Sequence, residues 1–254
     1  YNVTGNAALL ARARSMPWEN DEHKRAAVAV FRTMLAAVTK DQRYLAKRAR
    51  HASNYGMHGK RLSDELLKDG YTFTPEECQA MIDGLLAADP DILEWQKATR
   101  KEIIQHRCLT NSWGRVLDFT YERLDDELFR RGYAFRPQSE VGMLLNQYGL
   151  RPVYQYIKQN NLYARINMQV HDSLKISCPP DEALELAMLL KQSLERPRLY
   201  GPTLLSIPCE FKLGLNAAGS IEFKKFNAKE FEDAAYYLGS QAGCATVAAN
   251  AVAR

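Results

Sequence analysis

The chain has 254 residues, of which 46% are hydrophobic and 25% charged, an ordinary balance for a globular protein with one large or two smaller domains. No apolar run approaches the roughly 20 residues of a membrane helix, and no signal peptide is visible. The cysteines Cys78, Cys108, Cys178, Cys209 and Cys244 form neither a CxxC pair nor a Cys/His cluster, which argues against zinc and for a reduced, intracellular setting. Net charge is only +4, but seven basic residues (Lys40, Arg43, Lys47, Arg48, Arg50, Lys60, Arg61) and one acid, Asp41, fall between positions 40 and 61. So focused a positive segment suits a phosphate-bearing partner; taken alone, such a run is more often a solvated helix face. The first residue is Tyr, which suggests a processed product or a fragment.

In chain order, Asn6 to Thr39 reads as helical with a break at Met16-Pro17-Trp18. A helix follows from Asp41 to Tyr55, ending near Gly56, and a shorter one from Arg61 to Lys68. Thr74-Pro75-Glu76-Glu77 combines an N-cap, a first-turn Pro and first-turn acids, and predicts a helix reaching Ala88. Asp89-Pro90-Asp91 opens another, ending near His106. Cys108 to Phe119 is predicted extended around a turn at Asn111-Gly114, then a short helix from Asp125 to Arg131 and a longer one from Pro137 to about Tyr156. Tyr163, Arg165, Asn167 and Gln169 alternate with Ala164, Ile166, Met168 and Val170, and Leu174 and Ile176 continue the pattern past His171-Asp172. That predicts a tight hairpin with an acid at its tip. Pro179-Glu182 starts a helix to about Leu194, Leu204 to Leu213 reads as a last strand, and Gly239 to Arg254, rich in Ala, Gly and Ser, reads as a loosely held tail. A helical lobe followed by an α+β lobe results.

Two constellations carry chemistry. Arg43, Lys47, His51 and Tyr55 recur every four residues, so they form a slowly winding stripe on one helix face. Two cations there can neutralise a triphosphate, and an aromatic further along can stack on a base or sugar. Gly56 lets the backbone turn sharply at the helix end. Asp172, on a rigid hairpin, offers a hard oxygen ligand for a divalent metal, although an aspartate between strands is most often a turn residue. His171 beside it can hydrogen-bond a substrate. Arg115, in Trp113-Gly114-Arg115, is a cation at a turn, and Gln138 can read base edges in a minor groove.

Together these residues resemble family A DNA polymerases, the DNA polymerase I type, in the phage-like branch. The family's fingers helix, Arg-x3-Lys-x3-aromatic-x3-Tyr-Gly, looks like Arg43, Lys47, His51, Tyr55-Gly56, and its palm motif Gln-Val-His-Asp-Glu looks like Gln169-Val170-His171-Asp172-Ser173. Trp113-Gly114-Arg115 resembles a Phe-Gly-Arg segment, Pro137-Gln138-Ser139 the Pro-x-Gln-Gly region, and Asp21-Glu22-His23 an Asp-Ile-His segment. The resemblance runs over about residues 4 to 227. It implies an α+β fold: a helical fingers lobe plus part of the antiparallel-sheet palm of a right-hand polymerase. It also implies a segment 1–38 joining palm to fingers, fingers over 39–106, palm over 107–227 and a tail over 228–254. By the same resemblance Arg43, Lys47, His51 and Tyr55 would bind the incoming dNTP. Tyr55, Gly56, Arg115, Gln138 and His171 would touch primer-template DNA, and Asp172 would ligate catalytic Mg²⁺, two ions in the complete site. A bacterial or phage-infected cytoplasm is the implied setting, with no membrane partner.

Three departures accompany the resemblance. His51 replaces the usual Phe or Tyr, and Ser173 replaces an auxiliary Glu. The family's other metal aspartate, in an Asp-Tyr-Ser-Gln-Ile-Glu-like motif, has no counterpart here; Val3-Thr4-Gly5-Asn6 resembles the Leu-Ser-Gly-Asp shortly after it. One carboxylate cannot clamp two ions, so another polypeptide, or an upstream portion, is expected to supply the second, and the chain without it is expected to be inactive. Two other readings stand beside this one. A single-subunit phage-type RNA polymerase shares the Arg/Lys…Tyr-Gly helix and often carries His-Asp-Ser, as at His171-Asp172-Ser173. A non-catalytic remnant would bind nucleic acid through the basic helix alone.

Overall fold

The computed structural model describes residues 7–15, 20–200, 203–215, 219–242 and 245–251. The readings at Asn2 to Asn6, at Met16-Pro17-Trp18 and at Cys244 lie outside these. The chain divides into two units, residues 1–138 and 139–254. Among the described residues no helix is long and apolar enough to cross a membrane.

The first unit is helical. Its elements are α1 (Ala7–Arg14), α2 (Glu22–Phe31), a 3-10 turn (Leu35–Ala37), α3 (Lys40–Asn54), α4 (Gly59–Lys68), α5 (Pro75–Ala88) and α6 (Asp91–His106). Helix α3 starts where Thr39 and Gln42 form a capping box, and α5 where Thr74 and Glu77 form another with Pro75 in the first turn. The face of α3 opposite the basic stripe carries Leu45, Ala46, Ala49 and Ala52, all buried. Three alanines let α2 and α5 approach closely, and Ala26, Ala27, Leu62, Leu66, Cys78, Met81, Ile82 and Leu85 complete that core. The predicted continuous helix to Thr39 is broken: Arg32 takes a left-handed conformation (φ 49°) and ends α2.

A short antiparallel ribbon follows, β1 (Cys108–Thr110) with β2 (Val116–Asp118). It encloses a second small core of Ile103, Leu109, Phe119, Leu128, Phe129 and Tyr133. Where two helices were expected around Pro137, one helix, α7 (Asp126–Leu145), runs through the proline. Proline costs an amide donor there. Burial outweighs the loss, since Leu128, Phe129 and Tyr133 precede Pro137 in one core and Leu144 and Leu145 follow it in another. A π-helical turn (Asn146–Leu150) then leads into α8 (Arg151–Gln159).

The second unit is built on a five-stranded, wholly antiparallel sheet. Its strands are β3 (Arg165–Val170), β4 (Ser173–Cys178), β7 (Cys209–Gly214), β8 (Ser220–Phe223) and β9 (Ala245–Ala251), in the order β3-β4-β9-β7-β8. A separate ribbon pairs β5 (Arg198–Tyr200) with β6 (Thr203–Leu205). Helices α9 (Pro180–Leu194) and α10 (Ala228–Ala242) pack on each other and on the sheet. Leu174, Ile176 and Cys178 of β4 and Cys209, Phe211 and Leu213 of β7 supply the sheet's buried face, against Leu186, Leu190, Leu194 and Phe231 of the helices. The buried carboxylate of Glu182 accepts hydrogen bonds from the Tyr163 and Ala164 amides, both 2.8 Å, and so fixes the approach to β3. Two expectations differ from this arrangement. The stretch Leu204 to Leu213 is two strands and not the last, and the segment from 228 is not a tail over its described part, because it forms α10 and the central strand β9.

Gly59 sits where α4 meets α5. Its amide donates to Gln79 Oε1 (2.8 Å), and a Cβ there would lie 2.3 Å from the Pro75 carbonyl oxygen. Gly59→Ala is expected to cost about 1–3 kcal/mol through overpacking, read as a lower urea midpoint at unchanged slope; an unchanged midpoint would contradict the close approach.

Candidate functional site

In the first unit, α3 presents Arg43, Lys47 and His51 along one stripe, and Tyr55 forms its C-cap. The side-chain amide of Gln96 donates to the Ser53 and Asn54 carbonyls (2.8 and 3.0 Å), satisfying acceptors that the helix end leaves open. Gly56 follows with φ +67°, and a Cβ there would stand 3.0 Å from the Tyr133 ring. Both the turn and the close ring require glycine.

Asp21 organises the other side of the stripe. One carboxylate oxygen caps α2 by accepting from the His23 and Lys24 amides (3.0 and 3.1 Å); the other accepts from Arg43 Nε at 2.7 Å. Burial works to raise the Asp21 pKa, but the bonds from Arg43 and the two amides, with the Arg43 charge, hold it below the usual carboxylate range. Arg43 is thus oriented through Nε, and its planar fork keeps further donors for another acceptor. Lys47 is exposed, with no acidic partner among the described residues. The other arginines of the basic segment are engaged elsewhere. Arg48 pairs with Glu65 (3.4 Å) and Asp69 (3.2 Å), Arg50 with Asp89 (2.5 Å) and Arg61 with Glu65 (3.7 Å). Of the segment's arginines, three are thus tied to acids away from the stripe, while Lys47 on it stays exposed.

His23 joins the cluster from α2, its ring 6.3 Å from that of His51, which in turn stacks toward Tyr55 at 6.4 Å and 20°. Burial, then the charges of Arg43 and Lys47, push the His23 pKa down to about 4 against the opposing pull of Asp21. His51 is lowered too, by partial desolvation and then by Lys47 and Arg48, although solvent still reaches its side chain. Both rings are therefore neutral at pH 7. His23 Nδ1 is buried without a hydrogen-bond partner among the described residues. Burial raises the Tyr55 pKa, offset in part by a hydrogen bond from Gln138, which places Gln138 beside the end of the stripe. Among residues expected to act, Arg43, Lys47, His51, Tyr55, Gly56 and Gln138 come together. Asp21, His23 and Gln96 are additions that the spacing rule along one helix could not supply. The Asp-x-His spacing was the signal available for two of them.

Arg115 is exposed on the β1–β2 turn. Asn111 Oδ1 shapes that turn by accepting from the Trp113 and Arg115 amides (3.0 and 2.9 Å), with Gly114 at φ +80°. In the second unit, His171 and Asp172 form the two-residue tip joining β3 to β4, with Val170 paired to Ser173 and His171 at φ +52°. Ser173 Oγ donates to the Val170 carbonyl (2.9 Å) and closes the turn. Both tip side chains are exposed. Asp172 offers one hard carboxylate, and among the described residues no three His, Cys, Asp or Glu side chains gather as a metal site. Asp172 fits the part of one ligand of a divalent cation and does not by itself hold two.

The family model for DNA polymerase family A matches residues 3–218. The chain belongs to DNA polymerase family A. The DNA polymerase of Bacillus phage SP01 is 27% identical over 179 residues, 69% of this chain and 19% of that protein. The thermostable DNA polymerase I of Thermus aquaticus is 26% identical over 200 residues, 77% of this chain and 22% of that protein. DNA polymerase I of Pseudomonas aeruginosa is 25% identical over 203 residues, covering 78% and 21%. This family A chain thus spans about a fifth of the length of the curated relatives it matches. The POL domain of Pol1 from M. smegmatis, solved with DNA primer-template and dNTP, superposes with a TM-score of 0.63 at 18% identity, over 76% of this chain and 33% of that one. That likeness agrees with the α+β fold.

The depressed His23 pKa makes a pH prediction. The unfolded chain takes up the proton near 6.5, the folded chain only near 4, so this contribution to stability is present above about pH 6.5 and is lost as pH falls toward 4. Urea midpoints measured from pH 8 to 4 are expected to fall more steeply for the unchanged chain than for His23→Asn. Parallel curves would show that His23 is not held neutral by its surroundings.

Proposed function

We propose that this chain is the dNTP-binding and primer-binding part, fingers and C-terminal palm, of a template-directed DNA polymerase that extends a primer 3′ end. The observation that carries the reading is the stripe of Arg43, Lys47, His51 and Tyr55 faced by His23, whose buried Nδ1 awaits a partner. Arg43, already oriented by Asp21, and Lys47 bind the triphosphate oxygens and neutralise charge that grows on the leaving pyrophosphate. Neutral His23 can donate a hydrogen bond to a phosphate oxygen without adding a third positive charge. His51 and Tyr55 pack against the incoming sugar and base, and Gln138, held near Tyr55, reads the minor groove. His171 meets the primer end, and Arg115 a backbone phosphate.

Asp172 would be this chain's ligand to Mg²⁺. The ions, when bound, stabilise charge on the attacking and leaving oxygens. The second metal aspartate comes from another polypeptide or segment, which makes that partner a condition of activity. The domain limits follow the same reading: fingers over 39–106 and palm over 107–227. Primer-template DNA and dNTPs are the other partners, and no membrane is involved.

Titration with a fluorescent dNTP tests the stripe. Lys47→Ala is expected to weaken binding about tenfold, near the 1.4 kcal/mol of one charge-assisted contact. Arg48→Ala, whose guanidinium is spent on Glu65 and Asp69, is expected to change affinity less than twofold. Equal losses for both would return the helix to a general basic surface. With a partner supplying the second acid, primer extension is expected to disappear in Asp172→Asn while dNTP affinity of the chain alone stays unchanged; extension by Asp172→Asn would remove that residue from the metal site.

A further inference from the structure

The stripe on α3 is held at its two ends by different helices. At the Arg43 end, Asp21 from the start of α2 accepts from Arg43 Nε at 2.7 Å. Tyr55 lies twelve residues further on, about 18 Å along the helix axis at 1.5 Å per residue, and that end is held from α6. The Gln96 side-chain amide has two N–H donors, and they go to two adjacent carbonyls, those of Ser53 (2.8 Å) and Asn54 (3.0 Å). Both carbonyls belong to the last turn of α3, where the helix itself supplies no amide four residues on. The Gly56 amide reaches the Ser53 carbonyl only at 3.4 Å. Ser53 is 2% exposed. With an apolar side chain of the same size in place of Gln96, water would reach that carbonyl only if the helix end opened.

Tyr55 stands directly after this clamp, with α6 and α7 around it. Trp95, beside Gln96, meets the Tyr133 ring at 6.0 Å, Tyr133 lies against Gly56, and Gln138 hydrogen-bonds Tyr55. Tyr55 and Trp95 pack on the same small core as Tyr133. The Tyr55 amide in turn donates to the His51 carbonyl (3.2 Å), and the two rings stack at 6.4 Å. A shift of the helix end therefore moves Tyr55 and His51 together. It leaves Arg43, which Asp21 holds about three turns upstream, in place.

We propose that Gln96 is a positioning residue that sets the selectivity of the stripe for a nucleoside triphosphate over a bare polyphosphate. It touches no ligand itself. By tying the end of α3 to α6 it fixes Tyr55 and His51, which take the base and sugar, while Asp21 separately fixes Arg43 for the phosphates. Loss of the clamp costs the nucleoside contacts and spares the phosphate contacts. That the ligand is a dNTP rests on the polymerase reading; the independence of the two ends does not.

The probe is a fluorescent dNTP bound to the full chain without divalent metal and displaced in turn by an unlabelled dNTP and by inorganic tripolyphosphate. The unchanged chain is expected to hold dNTP at least tenfold more tightly than tripolyphosphate. Gln96→Met, which keeps the side chain's length and loses both donors, is expected to weaken dNTP binding about tenfold and tripolyphosphate binding less than twofold. Asp21→Asn, which keeps the cap on α2 and loses the charge facing Arg43, is expected to change both by the same factor. Gln96→Glu sets a carboxylate against the two carbonyls at about pH 7.5 and regains one O–H donor when protonated. Its dNTP-to-tripolyphosphate ratio is expected to recover at least threefold at about pH 5.5, while that of Gln96→Met does not. Equal losses of both ligands in Gln96→Met, or an unchanged ratio, overturn the proposal. If Gln96→Met does not fold, Gln96→Glu decides the matter, and a ratio equal to the unchanged chain's at about pH 7.5 overturns it. Hydrogen exchange reads the clamp without ligand: in Gln96→Met the amides of residues 55–57 are expected to exchange at least tenfold faster, and those of 45–49 at an unchanged rate. A chain that holds dNTP no better than tripolyphosphate sinks the polymerase reading and the selectivity with it, while that local acceleration still shows the clamp. A dNTP preference that survives Gln96→Met sinks the role of Gln96 alone.

Discussion

The Asp21 carboxylate is the junction on which the first unit's candidate site depends. With one oxygen it starts α2 and with the other it fixes Arg43 of α3, twenty-two residues away. The same contact brings His23 over the stripe, since His23 is two residues into the turn that Asp21 caps. Desolvation of this carboxylate is offset by three donors, so the charge remains and stays directed. Were it absent, α2 would lose its N-cap and Arg43 the contact that orients it.

The opposite face of α3 sets the complementary constraint. Alanines at 46, 49 and 52 are flush with the neighbouring helices, so α3 is held from behind without bulky side chains that would push it away. Longer arginines on its flanks are spent on Glu65, Asp69 and Asp89. Arg48 and Arg50 are thus consumed in tying helices together, while Lys47 on the stripe stays exposed.

Where the local chemistry was strong, sequence and structure agree. Thr39 and Thr74 begin helices because each has a partner three residues on, and His171-Asp172 turns because apolar alternation runs into it from both sides. Pro137 misled as a helix start because proline reports on its own backbone only, whereas the helix continues on the burial of Leu128, Phe129, Leu144 and Leu145. The Ala-rich end misled similarly. Only Thr246 and Val247 in Ala-Thr-Val-Ala-Ala-Asn-Ala favour a strand, and it becomes one through ladders supplied on both sides by β4 and β7. Arg43, Lys47, His51 and Tyr55 were legible from periodicity along one helix. Asp21 and Gln96 were not, because their role is across helices, 22 and 43 residues from the groups they hold.

Strand β3 bears on how the isolated chain behaves at concentration. It is the outer strand beside β4, and beyond Ile166 its ladder slips at a bulge before Met168. Met168 and Val170 are consequently 49% and 42% exposed instead of lying in the core that their alternation suggested. An outer strand with open backbone and bare apolar residues is a template for further strands. The bulge bends that template out of register, so adhesion along this rim is interrupted at the residues where it would otherwise be strongest.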